Sequence, residues 1–233
     1  MIALLWMACA LPTSDVVLSG QVLTGRDSGV GAPGVLVSLR KANTRPHGEV
    51  TTNENGRFEI EIPSSNVYHI ALSGTDIVPT AFSGVVGQSD VAIPENDLFV
   101  RSTGDIEALR DEFSACPEVE EDGGIVEGVV QFTLQNTEDD SFLAAALTSI
   151  TVFDDQANTF EACYLDDDGA SVEEADNVGN TGRFAVFGTP EGPLEIRFRQ
   201  DIGGLIIDNY GFVYMPENGV APFYPAFVDL AGQ

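Results

Sequence analysis

From Val16 onward the chain is a succession of short runs in which apolar and polar positions alternate with a period of two, cut by Gly, Pro, Asn and Asp. Such alternation puts one set of side chains on a buried face and the other in solvent, and so predicts half-buried antiparallel strands. The first run is 16–23 and the second 35–39. Glu49-Val50-Thr51-Thr52, the turn Asn53-Glu54-Asn55-Gly56 and residues 57–62 follow. In the last of these Phe58, Ile60 and Ile62 share one face while Arg57, Glu59 and Glu61 share the other, which predicts a hairpin. Pro63 stops that strand, 68–72 makes another, and weaker runs lie at 80–84 and 98–100.

The second half repeats this grammar. Glu127-Gly128-Val129-Val130 answers Ser19-Gly20-Gln21-Val22, Ile150 to Phe153 answers the run at 35–39, and Gly182-Arg183-Phe184 answers Gly56-Arg57-Phe58. Pro193 to Phe198 then answers 67–72. The offset is 108 residues from Gly20 to Gly128 and 126 from Gly56 to Gly182, so the second copy holds eighteen more residues between these points. The acidic tracts at 138–140 and 166–176 are where they are expected. Between the copies Ile106, Leu109 and Phe113 follow a helical spacing, with Asp105 placed to cap the start. Cys116, Pro117 and the acids at 118–122 form a linker. The expected organisation is a leader at 1–15, a first β-sandwich at 16–104, a helix and acidic linker at 105–123, and a second β-sandwich with acidic insertions at 124–233.

Gly20-Gln21-Val22, Pro33-Gly34-Val35-Leu36-Val37 and Thr52-Asn53-Glu54-Asn55-Gly56-Arg57-Phe58, echoed by Gly128-Val129-Val130, Gly182-Arg183-Phe184 and Pro190-Glu191-Gly192-Pro193, resemble the carboxypeptidase regulatory-like domain. That family has a transthyretin-like β-sandwich without catalytic residues. The resemblance covers about 16–73 and 124–200, and implies an all-β protein of two tandem sandwiches acting as a stabilising or adhesive module. In both copies the glycine supplies a positive φ, the arginine is expected to face solvent and the phenylalanine to enter the core.

Composition changes the picture in two ways. There are 37 acidic residues against 10 basic, a net charge of −27, and between Asp111 and Gly182 lie 19 acids with no Lys or Arg. Such a field repels phosphates and anionic headgroups and argues against nucleic-acid partners. The N-terminal residues Met1 to Ala8, apolar and ending before Cys9 with polar residues after it, look like a bacterial lipoprotein signal that lacks a cationic start. Lipidation at Cys9 is the expectation, with a cell-envelope location, in the outer membrane, periplasm or outside. Other export or a plain start remain alternatives.

Cys116 and Cys163 are then an even pair, and the expectation is a disulfide between them that clips the linker to the second sandwich, with two unrelated buried thiols as the alternative. Neither His47 nor His69 has metal or catalytic spacing, and no nucleophile elbow occurs, so catalytic, cofactor and metal residues are expected to be none. The function expected is a structural or protein-binding envelope module, with an unidentified envelope protein or a glycan as partner. The alternative is a ligand-binding module. Calcium would sit at the acids of 166–176, and carbohydrate would stack on Pro222-Phe223-Tyr224-Pro225-Ala226-Phe227, unless Phe223 and Phe227 pack inward from an edge strand.

Overall fold

A computed structural model of the chain describes residues 15–41, 46–64, 66–86, 89–94, 97–120, 122–133, 142–144, 148–166, 168–172, 177–179, 181–202 and 205–223. The strands of the first half are β1 (Asp15–Leu23), β2 (Leu36–Lys41), β3 (Pro46–Thr51), β4 (Arg57–Pro63), β5 (Asn66–Gly74), β6 (Ile77–Val86), β7 (Val91–Ala92) and β8 (Leu98–Phe99). Helix α1 (Thr103–Glu112) and a 3-10 turn (Pro117–Glu120) come next. The second half has β9 (Gly124–Val129), β10 (Gln131–Thr133), β11 (Phe142–Ala144), β12 (Thr148–Phe153), β13 (Thr159–Glu161), β14 (Cys163–Tyr164), β15 (Arg183–Thr189), β16 (Gly192–Ile202), β17 (Leu205–Met215) and β18 (Val220–Phe223).

The fold is all-β sandwich packing, and the two halves share one plan. In the first, β1 carries β4 on one side and β7 and β8 on the other, opposite a sheet ordered β3-β2-β5-β6. In the second, β14-β15-β9-β18 lies opposite β13-β12-β16-β17. A short β10-β11 ribbon stands apart. Each half encloses its own apolar cluster, one around Leu18, Val37, Phe58, Ile62 and Leu72, the other around Val126, Val152, Phe184, Ile196 and Val213. The sheets are not wholly antiparallel, since β7 and β8 run parallel to β1, as β18 does to β9.

The repeat read from sequence has a structural basis. Gly20 pairs across the ladder with Phe58, and Gly128 with Phe184. A Cβ on Gly20 would lie 3.1 Å from the Phe58 ring, and one on Gly128 only 2.8 Å from the Phe184 ring. Each glycine therefore opens the slot in which its cross-strand aromatic lies. Val22 N–H donates to Gly56 O and Val130 N–H to Gly182 O, both at 2.8 Å, and Gly56 and Gly182 have φ of 73° and 67°.

Four expectations are corrected. The turn at 53–56 does not close a hairpin: β3 pairs with β2, while β4 crosses to the other sheet and pairs with β1 over seven residues. An amphipathic strand fits either sheet, and the long β1 ladder decides. Thr52 anchors the departure, its hydroxyl donating to Ala32 O at 2.7 Å and accepting from Val35 N at 3.0 Å. The cap of α1 is Ser102 rather than Asp105. Their side chains satisfy each other's backbone N–H groups in a capping box. Arg183 does not face open solvent but is half-buried, with its guanidinium 2.9 Å from the Glu112 carboxylate on α1. Finally, β18 is no edge strand, since it sits between β9 and β6.

Helix α1 and the 3-10 turn lie on the outer face of β9 and β15. There Leu109, Phe113, Cys116 and Val119 meet Ile125, Ala185 and Phe187 in a third apolar cluster. Both faces of β15 are thus covered, which is why Phe184-Ala185-Val186-Phe187 reads as continuous rather than alternating.

Candidate functional site

The groups with chemical potential gather where the halves meet. β18 touches β6 through Val220 and Thr80, which joins the second-half sheet to β6-β5-β2-β3 as eight strands. Arg101, just before α1, forms an ion pair with Glu127 of β9; the Glu127 side chain is 1% exposed and that of Arg101 17%. The Arg101 guanidinium also lies 4.9 Å over the Phe99 ring. Glu127 Oε2 and Arg101 Nε are buried with no hydrogen-bond partner among the described residues, so the pair is only partly satisfied. Nearby on β5, His69 is buried, its Nδ1 2.8 Å from Ser83 Oγ and its ring 5.6 Å from that of Tyr214 on β17. Burial holds the His69 pKa below the ordinary imidazole value. Burial also pushes the Tyr214 phenol up, with Glu191 adding to the effect.

Cys116 and Cys163 are joined by a disulfide with Cα atoms 6.0 Å apart, tying the segment after α1 to β14. Glu118 Oε2 lies 2.9 Å from Cys116 Sγ and 3.9 Å from Cys163 Sγ. Among the described residues these three are the one convergent set of metal-ligating atoms. With both sulfurs consumed by the bond between them, only the Glu118 carboxylate could ligate, too few for a resident metal. The calcium candidate at 166–176 is only partly described. There Asp166 Oδ1 accepts from the backbone N–H of Asp168 at 3.0 Å and of Ala170 at 2.8 Å, so this carboxylate is engaged in closing its own turn.

A groove of about 770 Å³ opens on the first half, lined by Ser19, Gln21, Asn53, Arg57, Phe58 and Ile93 among others. It overlies the motif residues on which the family resemblance rests. Its lining mixes apolar Phe58 and Ile93 with polar and charged groups, Arg57 and Glu59 among them. Of the carbohydrate candidate at 222–227 only Pro222 and Phe223 are described; Phe223 packs against Phe198 at 5.0 Å between ring centroids, and a Cβ on Gly211 would touch its ring. Residues 224–227 and the lipidation candidate Cys9 lie outside the described residues.

Sequence reasoning missed the Arg101–Glu127 pair, although a signal existed. Glu127 is the one charge in an otherwise apolar strand, a position that demands a buried partner. It also missed β17 as a whole, and with it the exposed Tyr210 and Phe212. Among the described residues no helix is long and apolar enough to cross a membrane.

No family model matches the chain, and no curated protein matches it by sequence. Among solved structures, it is similar to the minor pilin GBS52 of Streptococcus agalactiae at 12% identity, covering 90% of this chain and 94% of that one with a TM-score of 0.30. It is similar to the shaft pilin SpaA of Lactobacillus rhamnosus GG at 11% identity, 91% and 96% coverage and a TM-score of 0.27. The Bacillus anthracis TIE protein matches at 12% identity and TM-score 0.31 over 90% of this chain, which spans only 33% of that protein. Likeness of this degree carries no functional argument.

Proposed function

We propose that this protein is a non-catalytic structural or protein-binding module of the bacterial cell envelope, built from two carboxypeptidase regulatory-like repeats and held by lipid at Cys9. The observation that carries this reading is the duplicated Gly–Phe slot with its positive-φ glycine turn, at equivalent ladder positions in both halves. Buried polar groups support it, because the chain commits them to scaffold bonds: Glu127 to Arg101, His69 to Ser83, Thr52 to two backbone groups. The test is expression with radiolabelled palmitate followed by envelope fractionation, beside Cys9→Ala. Label in the membrane fraction that the variant loses is expected; equal behaviour of the two proteins would overturn the anchoring.

The groove at Ser19, Asn53 and Arg57 favours a second reading, a glycan-binding module. A ligand bound only to the native state raises the melting point, so a glycan panel and calcium that both leave the transition unmoved would dispose of it.

A further inference from the structure

We infer that two copies of this chain associate edge to edge through β17, antiparallel about Asn209, so that Ile206 of one copy meets Phe212 of the second and Asp208 meets Tyr210. This goes beyond the envelope role and does not depend on Cys9.

β17 is the last strand of the sheet β13-β12-β16-β17, bonded to β16 from Met215 to Leu205, and among the described residues no strand pairs with its other side. Natural edges are blunted by lysine, proline or a bulge. Between Leu205 and Met215 there is no lysine, no proline and a single charge, Asp208, and the β16 ladder runs without a register shift. Three of the five large apolar side chains most exposed among the described residues stand here: Ile206 at 55%, Tyr210 at 56% and Phe212 at 62%. Their even spacing puts them on one face. Beyond them Val213, Tyr214 and Met215 are buried, so the inner end of the strand is fixed and the outer end is free to pair.

Electrostatics selects the partner. With a net charge of −27, two copies repel over most of their surfaces. Around β17 the charges nearly cancel. Arg199 is bonded to Asp208 by two contacts of 2.9 and 3.1 Å, and Arg197, stacked 5.2 Å over Phe153, follows Glu195 at the same parity on β16, so that only Asp201, the ladder partner of Ile206, is left over. A nearly neutral apolar edge in an acidic molecule is where a second copy approaches at least cost. Side-chain chemistry then selects the register. A dyad at Asp208 would oppose two carboxylates, and a dyad at Tyr210 would bury Asp208 against Phe212. A shift by one residue would send the facing side chains to opposite faces. The dyad at Asn209 sets apolar against apolar and lets the Tyr210 hydroxyl donate to the Asp208 carboxylate. One shared edge buries less than the roughly 1,200–2,000 Å² of a standard interface, so the dimer should be weak and concentration-dependent.

Sedimentation equilibrium of the full chain over roughly 1–300 µM, at low and high salt, tests this. A monomer–dimer equilibrium that tightens with salt is expected, because screening relieves repulsion between like-charged copies. Tyr210→Glu should weaken it by about tenfold or more, the loss of one good interface contact, while Val67→Glu at an exposed position elsewhere leaves it unchanged. Asn209→Cys should give an oxidant-dependent dimer that wild type does not. Monomer at every concentration, indifference to Tyr210→Glu, or absence of the Asn209→Cys cross-link would each overturn the proposal. So would association that weakens with salt, which would mark a charge-driven contact between copies and not an apolar edge.

Discussion

Among the described residues one five-residue device recurs three times. Asn53, Asp154 and Asp166 each accept, through Oδ1, the backbone N–H groups two and four residues on, at 2.8 to 3.0 Å. Each also takes the N–H of the third residue on its carbonyl, and that residue has a left-handed φ: 73° at Gly56, 62° at Ala157 and 82° at Gly169. Side-chain oxygen thus replaces the strand partner where the chain reverses. At Asp154 the bond from the Asn158 side chain, followed by those from backbone, holds the carboxyl below its ordinary pKa. Ala157 alone occupies the left-handed position with a Cβ. Ala157→Gly should therefore stabilise by about 0.5–1 kcal/mol, read as a rise of a few degrees in melting temperature. Gly56→Ala should do the reverse and more, since a Cβ there would stand 2.4 Å from Val22 O and 2.6 Å from Ala32 N, both backbone atoms.

His69 gives the residue scale its pH dependence. Its folded pKa lies below the unfolded value of 6.5 because burial disfavours the cation. The unfolded chain therefore binds the proton first, and stability present above pH 6.5 is lost as pH falls from there toward the folded pKa. The groups facing the ring are Ser83 and Tyr214, with Arg40 its ladder neighbour on β2. Melting temperatures from pH 8 to pH 5 should decline in wild type, and His69→Gln should flatten the part of that decline lying just below pH 6.5.

At the scale of elements, α1 is ten residues long, too short to persist without tertiary support. The Ser102–Asp105 box satisfies its first N–H groups, Leu109 and Phe113 fix one face, and the Cys116–Cys163 bond fastens its exit to β14. Closing 47 residues of sequence corresponds to roughly 4 kcal/mol in the chain-entropy model. Reductant should lower the melting temperature by several degrees or more, and Cys163→Ala should reproduce the effect without reductant. Equal melting in both redox states would show the bridge to be energetically idle. The segment so fastened is not a free tether: its apolar residues cover a sheet face that would otherwise be exposed.

For the whole molecule the decisive bond is Arg101–Glu127, which joins the end of the first half to the middle strand of the second. Removing one partner strands the other as a buried unpaired charge. Arg101→Met should cost about 3–5 kcal/mol in urea unfolding, and the double variant Arg101→Met/Glu127→Leu should recover much of that loss. Two separate unfolding transitions in the single variant, merging to one in wild type, would show that this pair couples the halves.

The sequence by itself determined the strand-rich class, the strands of the repeated motif, the duplication, the positive-φ glycines and the core phenylalanines, while β7, β10, β11, β13, β14 and the eleven-residue β17 went unread. Each feature so determined is local: alternation of period two, or a residue type that only one backbone geometry tolerates. The Cys116–Cys163 disulfide was legible too, from an even pair of cysteines flanking the linker, and the structure contains it. What the tertiary structure decided is whatever depends on choosing among equivalent partners. The alternation in residues 57–62 fits pairing with β3 as well as with β1, and only the packed sandwich assigns it to β1. Helical spacing announced α1, yet not that it would cover β15. Arg101 and Glu127 lie 26 residues apart and carry no mutual signal, because a buried ion pair is specified by the space between two sheets. The exposed edge of β17 was invisible for the same reason: a strand's pattern says which side chains are apolar, and the assembled sheet alone says which of them have nothing to pack against.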